Sequence, residues 1–171
     1  MIFLSLYKLF LYLSQGKISN TMLSKSTEYA IRALIFVQLK NLLEKRPGVA
    51  EIAKEIEAPV AFTAKILHTL TSRRLLNSMK GRGGGFFFSE SQAEITVYEI
   101  ILVMEGDALF TECGIGLSNC SDDNPCPLHD QYGKIRGQLL ALAKLESINS
   151  MAVKIKTGQA VLSRITQNNL I

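Results

Sequence analysis

Only three cysteines occur in the 171-residue chain. The number is odd and too small for a secreted fold stapled by disulfides, and it fits a reducing cytosol. No apolar run reaches the ~18 residues a membrane-spanning helix needs. There is no nucleotide-binding fingerprint, no C-x-x-C pair and no paired catalytic acid and base. The glycine run Gly81-Arg-Gly-Gly-Gly85 lacks the G-K-[ST] ending of a phosphate loop. Internal repeats and low-complexity tracts are also absent. These absences argue against an enzyme. An electron carrier whose basic half docks an acidic partner is what remains of that class. Hydrophobic residues make up 47% and charged residues 20%, which excludes a disordered chain and points to one domain or two small ones.

The charge is unevenly spread. Residues 1–90 hold 13 Lys and Arg against 6 Asp and Glu, whereas residues 91–171 hold 6 against 9. Between Val60 and Gly85 stand Lys65, Arg73, Arg74, Lys80 and Arg82 with no acid; between Glu105 and Asp130 stand six acids with no base. A basic first half suits a polyanion, and a solvated basic face is the plainer alternative.

Ile2 to Leu13 is apolar apart from Lys8. A signal peptide would place its positive charge ahead of that stretch and a small-residue cleavage site behind it, and neither is present. Two readings follow: upstream sequence with the functional start at Met22, which we favour, or a helix lying on a membrane or partner.

From Ser24 the pattern becomes regular. Ser24 is a candidate N-cap with Glu28 in the first turn. Tyr29, Ala33, Phe36, Val37 and Leu43 follow at helical spacing as far as Pro47-Gly48. Val49–Glu57 reads as a second helix and Ala61–Ser72 as a third, with Ile66, Leu67 and Leu70 facing inward. Leu75–Lys80 and Phe86–Ser89 read as strands joined by the glycine turn. Thr96–Met104 is a fourth helix, Glu105–Pro127 a loop, and His129–Leu145 a long helix. Ile135, Leu139, Leu142 and Leu145 lie near a heptad seam on that helix, suited to a second copy or to an internal core. From Ser147 the signal weakens toward a fraying tail or short helix.

Two short helices, a tight turn and a following hairpin make a winged helix-turn-helix. The expected fold is therefore mainly α with a small β-hairpin wing. On the third helix, Ala61, Phe62, Ala64, Lys65 and His68 are not needed for the inward stripe and are free to face a major groove. Core packing is the alternative for Phe62, and a plain surface position is preferred for His68. Arg82 at the hairpin tip suits a narrow minor groove. Lys80 and Arg73 add phosphate-binding charge.

A second constellation is Cys113-x6-Cys120-x5-Cys126-x2-His129, which gathers every cysteine and one of the two histidines within 17 residues. Cys126 and His129 lie one turn apart if the long helix begins near Pro127. Soft thiolates with imidazole suit zinc or an iron–sulfur cluster. The paired C-x2-C knuckles usual for zinc are missing, and chemistry alone leaves the two open.

With these residues in view, the chain from Met22 to about Leu145 resembles the winged-helix iron–sulfur transcription regulators, typified by the cluster-assembly regulator IscR and the nitric oxide sensor NsrR. The resemblance is carried by Leu23-Ser-Lys-Ser-Thr-Glu-Tyr-Ala-Ile-Arg-Ala-Leu34, by the hairpin from Lys80 to Phe87, and by Cys113…Cys120…Cys126-Pro-Leu-His129 ahead of a long helix. It implies a cytoplasmic homodimer, joined through its long helix, that binds a palindromic site on double-stranded DNA and has no membrane partner. It implies that Cys113, Cys120 and Cys126 ligate a cluster whose state alters DNA binding. The fourth ligand varies in the family. A histidine three residues beyond the last cysteine matches His129, which we prefer. An aspartate in the N-terminal segment of the other subunit matches Glu28, the alternative. The histidine favours a 2Fe–2S cluster, since members with cysteines and a carboxylate hold 4Fe–4S. Two positions depart from the pattern: the first cysteine gap is x6 rather than x5, and Ala64 stands where the assembly regulator carries an acid used in readout. Lys65, Lys80 and Arg82 are then the leading DNA contacts, with Ala61 and Arg73 beside them.

The resulting division is an N-terminal extension (1–21), a winged helix-turn-helix DNA-binding domain (22–90), a helix with a cysteine-rich loop (91–128), a dimerisation helix (129–148) and a C-terminal tail (149–171).

Overall fold

The computed structural model describes residues 22–89 and 92–162, so the extension 1–21 and the last part of the tail lie outside the described residues. Helix α1 (Lys25–Asn41) starts where Ser24 Oγ accepts a hydrogen bond from the Thr27 amide at 3.2 Å. It is the axis of the fold: Ala30, Ala33, Leu34 and Val37 are completely buried. The alternation of small and large apolar side chains lets neighbouring helices approach it on several sides.

The helix stops before Pro47. Leu42 is its C-cap, Glu44 takes a positive φ of 58°, and Leu43 lies beyond the helix, exposed. Asn41 accounts for the early end. Its Nδ2 donates to the Lys45 carbonyl at 2.8 Å, and its Oδ1 accepts from the Phe88 amide at 2.8 Å. One side chain thus turns the chain and ties it to the hairpin.

α2 (Val49–Glu55) and α3 (Val60–Ser72) follow, joined by a turn through Glu57 at φ 55°. α3 buries Thr63, Ile66, Leu67 and Leu70, the expected stripe plus one threonine whose Oγ1 donates to the Pro59 carbonyl at 3.1 Å. Phe62 is half-buried and packs edge-on against Tyr29 at 5.9 Å between ring centroids, so it belongs to the core side. The wing is an antiparallel pair, β1 (Asn77–Met79) and β2 (Gly85–Phe87), with Ser78 opposite Phe86. It is anchored below, where the Phe86 amide donates to the Pro47 carbonyl at 3.0 Å.

A short 3-10 turn (Gln92–Glu94) leads to α4 (Val97–Glu105), opened by a capping box in which Thr96 and Glu99 satisfy each other's amides. Within the segment read as loop, Ala108–Thr111 forms a short α5, seated by Phe110 against Tyr98. α6 (His129–Leu145) has the expected bounds. It rests on α4 and α5 through a small cluster of Ile101, Phe110 and Ala143, with Leu139 and Leu140 alongside. Its seam residues Ile135, Leu142 and Leu145 face outward, at 59%, 56% and 78% exposure.

Of the two expectations beyond Ser147, a fraying tail or a short helix, the chain forms the helix. Ser147 builds a second capping box, and α7 (Ile148–Lys156) packs on α1, with Ile148 and Ala152 completely buried. The amide of Val97 donates to the Glu146 carbonyl and that of Ile148 to the Ile95 carbonyl, both at 2.9 Å. The core is therefore shared between the helix-turn-helix and the C-terminal helices.

Gly85 has φ 148°, and a Cβ there would run into the Arg46 carbonyl oxygen. Gly85→Ala should destabilise the fold by roughly 1–3 kcal/mol, read as a lower urea midpoint with unchanged slope; a wild-type midpoint would show that the wing is not locked to the α1–α2 connection.

Candidate metal centre and nucleic-acid face

The segment 112–128 crosses the surface between α5 and α6 with its apolar residues Ile115, Leu117 and Leu128 all exposed. Nothing apolar holds it down, so its shape rests on polar contacts. Ser121 and Asn124 pair backbone to backbone, and Asn124 Nδ2 donates to the Asn119 carbonyl at 3.0 Å. At the other end Arg136 Nη1 donates to the Glu112 carbonyl at 2.9 Å. Gly114 lies directly beneath the Tyr132 ring: a Cβ there would come within 2.8 Å of it, so that approach requires glycine.

These constraints bring the three cysteines together. Their sulfurs all lie within 4.8 Å of one another, with Cys113 and Cys126 3.6 Å apart. His129, the first residue of α6, stands at the edge of this group with Nδ1 3.1 Å from the Cys120 sulfur and Nε2 2.9 Å from Asp122 Oδ1. Thr111, Tyr132 and Arg136 complete the open recess around them. His129, Tyr132 and Arg136 recur at three and four residues on one face of α6; Tyr132 and Arg136 were not singled out in the sequence, and that helical spacing is the signal that points to them. Asp122 and Gly114 carried no signal there, because a loop has no period.

The local electrostatics suit metal binding. Chiefly the hydrogen bond from His129, with help from the Cys126 backbone, brings the Cys120 thiol down to about 7. Desolvation holds the Cys126 thiol above its usual range. The Cys120 sulfur and then the Asp122 carboxylate raise the His129 imidazole above its ordinary value. Three converging sulfurs with a nitrogen beside one of them are the soft donor set that zinc and iron–sulfur clusters take, so the residues fit either group.

Glu28 is placed elsewhere. The alternative ligand is the Glu28 of a second subunit; in its own chain it lies in the first turn of α1, 2.6 Å from Lys25 Nζ and outside the sulfur group. Near it the Ser24 amide donates to Glu105 Oε2 at 3.1 Å, joining the start of α1 to the end of α4. Ala61, Ala64, Lys65 and His68 all lie exposed along α3, Arg73 is exposed at its C-cap, and Lys80 and Arg82 are exposed on the wing. A residue that the sequence did not single out joins them: Arg46 stacks on Phe87, 4.6 Å from the ring centroid. Among the described residues no helix is long and apolar enough to cross a membrane.

Comparison with known proteins gives a consistent picture. The family model described as "Rrf2: Iron-dependent Transcriptional regulator" matches residues 23–167. The HTH-type transcriptional regulator NsrR of Oceanobacillus iheyensis is 30% identical over 142 residues, spanning 82% of this chain and 94% of its own. Among solved structures, CymR, the global cysteine regulator of B. subtilis, superposes with a TM-score of 0.64 at 19% identity, over 77% of this chain and 95% of its own. T. potens IscR superposes with a TM-score of 0.61 at 16% identity, over 85% of this chain and 96% of its own. At those identities the two structures speak for the fold.

In metal-free, reduced protein, Cys120 should alkylate with iodoacetamide along a pH profile centred near 7, because the thiolate is the reacting form. Cys126 should lag to higher pH, and His129→Ala should carry the Cys120 profile upward. Equal profiles for Cys120 and Cys126, followed by peptide mass spectrometry, would remove the thiolate–imidazole pair.

Proposed function

The chain belongs to the Rrf2 family of iron-dependent transcriptional regulators, whose function is DNA binding, and we propose that it is a cytoplasmic homodimer whose grip on a palindromic operator is set by an iron–sulfur cluster on Cys113, Cys120, Cys126 and His129. The observation that carries this reading is the convergence of the three sulfurs and the imidazole at the junction of α5 and α6. When bound, a cluster supplies a redox-reactive iron centre and a cross-link among those donors. The local histidine donor favours 2Fe–2S over 4Fe–4S, and Glu28, in its ion pair with Lys25, is the less favoured fourth ligand.

The residues around the site supply the coupling. Cys113 closes the segment after α5, and Cys126 with His129 opens α6, so the donors tie the two helix ends together. The exposed seam of Ile135, Leu142 and Leu145 receives a second copy of α6. In such a dimer the tie between α5 and α6 governs the spacing of the two α3 helices on successive major grooves. Lys65 and Ala61 face the groove, Arg73 and Lys80 meet phosphates, and Arg82 enters the minor groove. Residues 22–89 then form most of the DNA-binding unit, with α7 as its internal support.

One observation favours a second reading. All three sulfurs lie within 4.8 Å of one another, as they would around a single tetrahedral zinc ion, whose bonds near 2.3 Å set its sulfurs about 3.8 Å apart, whereas thiolates on different irons of a 2Fe–2S cluster stand farther apart. In this reading the protein binds DNA constitutively, with a structural metal.

Anaerobic purification with iron, sulfide and zinc assays decides between them. Iron matched by sulfide, with colour lost in Cys120→Ala, is the expected result; about one zinc per chain would establish the second reading, and a metal-free protein that also fails reconstitution would defeat both. Lys80→Ala should weaken operator binding and reduce the salt slope by about 1, and an unchanged slope in fluorescence anisotropy would take Lys80 off the phosphates. Ile135→Asp with Leu142→Asp should leave a folded monomer by light scattering; a dimer that survives both would place the interface elsewhere.

A further inference from the structure

Neutral imidazole has one N–H and one lone pair, and what holds the N–H decides which nitrogen can bind a metal. His129 Nε2 lies 2.9 Å from Asp122 Oδ1, while Nδ1 lies 3.1 Å from the Cys120 sulfur. Both contacts are to acceptors, a thiolate at Nδ1 and a carboxylate at Nε2; a metal held by the sulfurs takes the Nδ1 lone pair and leaves the one remaining proton on Nε2, with Asp122. Asp122 is in a position to do this because Ser121 and Asn124 pair across it in a tight turn. The Asp122 side chain is otherwise fully exposed, whereas that of His129 is 19% exposed. The carboxylate therefore has no packing role, and among the described residues its partner is the ring.

We infer that Asp122 is a positioning residue of the metal centre: it accepts the Nε2 proton of His129, sets the ring plane, and commits the histidine to bind metal through Nδ1. The inference rests on the proposal that His129 is a ligand, and it holds equally for an iron–sulfur cluster and for zinc. Hydrogen-bonding a ligand imidazole to a carboxylate raises its donor strength, and loss of such a partner typically lowers metal affinity by about 10–100-fold.

The test uses cadmium-113 as the probe, added to the full-length reduced protein carrying 15N-labelled histidine. Nuclear magnetic resonance should show one-bond coupling from cadmium to Nδ1 of His129, with a slowly exchanging proton on Nε2. Coupling to Nε2 would overturn the inference. No coupling to either nitrogen would remove His129 as a ligand and with it the premise, and the iron and sulfide assay above separates that outcome from failure of the cluster reading as a whole. Asp122→Ala should weaken cadmium binding by about 10–100-fold and lose the protected proton. Asp122→Asn, which keeps an acceptor oxygen, should restore the proton and most of the affinity. In a His129→Ala background the Asp122→Ala loss should vanish, since the carboxylate acts only through the ring. An undiminished loss in that background, or native affinity in Asp122→Ala alone, would show that Asp122 does not position His129.

Discussion

The structure depends on burying α1 from several directions at once. Its small residues, Ala30 and Ala33, let other elements approach closely, and its large ones, Leu34 and Val37, fill the space between them; all four have no exposed surface. Against this axis lie α3, whose outer face carries the proposed DNA contacts, the wing, tied on by Asn41, and α7 from the far end of the chain. The geometry of α3 relative to the wing is therefore fixed by a core assembled from residues more than a hundred positions apart. Burial of this kind is non-directional and additive, so it tolerates the low identity at which the fold is shared with CymR and IscR.

The cysteine-bearing segment obeys a different rule. It has no buried apolar residue to hold it, and its order rests on a few hydrogen bonds, the contact of Gly114 under Tyr132, and the junction with α6. Residues 112–128 have little core of their own against the entropy of ordering them. A segment of that kind is responsive to whatever joins its donors. It sits beside α6, whose hold on the rest of the molecule is a small cluster around Ile101, Phe110 and Ala143. The thiolates thus adjoin a helix with an exposed apolar seam, set apart from the α1 core.

Much of this was legible in the sequence where periodicity or capping chemistry speaks. The Ser24 cap and the bounds of α6 followed from capping chemistry and spacing, and the inward stripe of α3 followed from Ile66, Leu67 and Leu70. The end of α1 did not, because proline was read as the stop while Asn41 ended the helix earlier through contacts with Lys45 and Phe88. α7 was faint for a similar reason. Its apolar residues are few, and Ile148 and Ala152 acquire meaning only against α1.

By itself the sequence determined which chemistry is present: a basic helix-turn-helix with a glycine-tipped wing, three thiols and a histidine close together, and an apolar seam on a long helix. These depend on residue type and local spacing, which the chain carries without folding. Tertiary structure alone decided that the sulfurs converge, that Asp122 and Tyr132 close around them, and that the C-terminal helix packs into the same core as the helix-turn-helix. Loops have no repeat from which contacts can be read, and long-range packing is set by shapes that exist only once the helices have met.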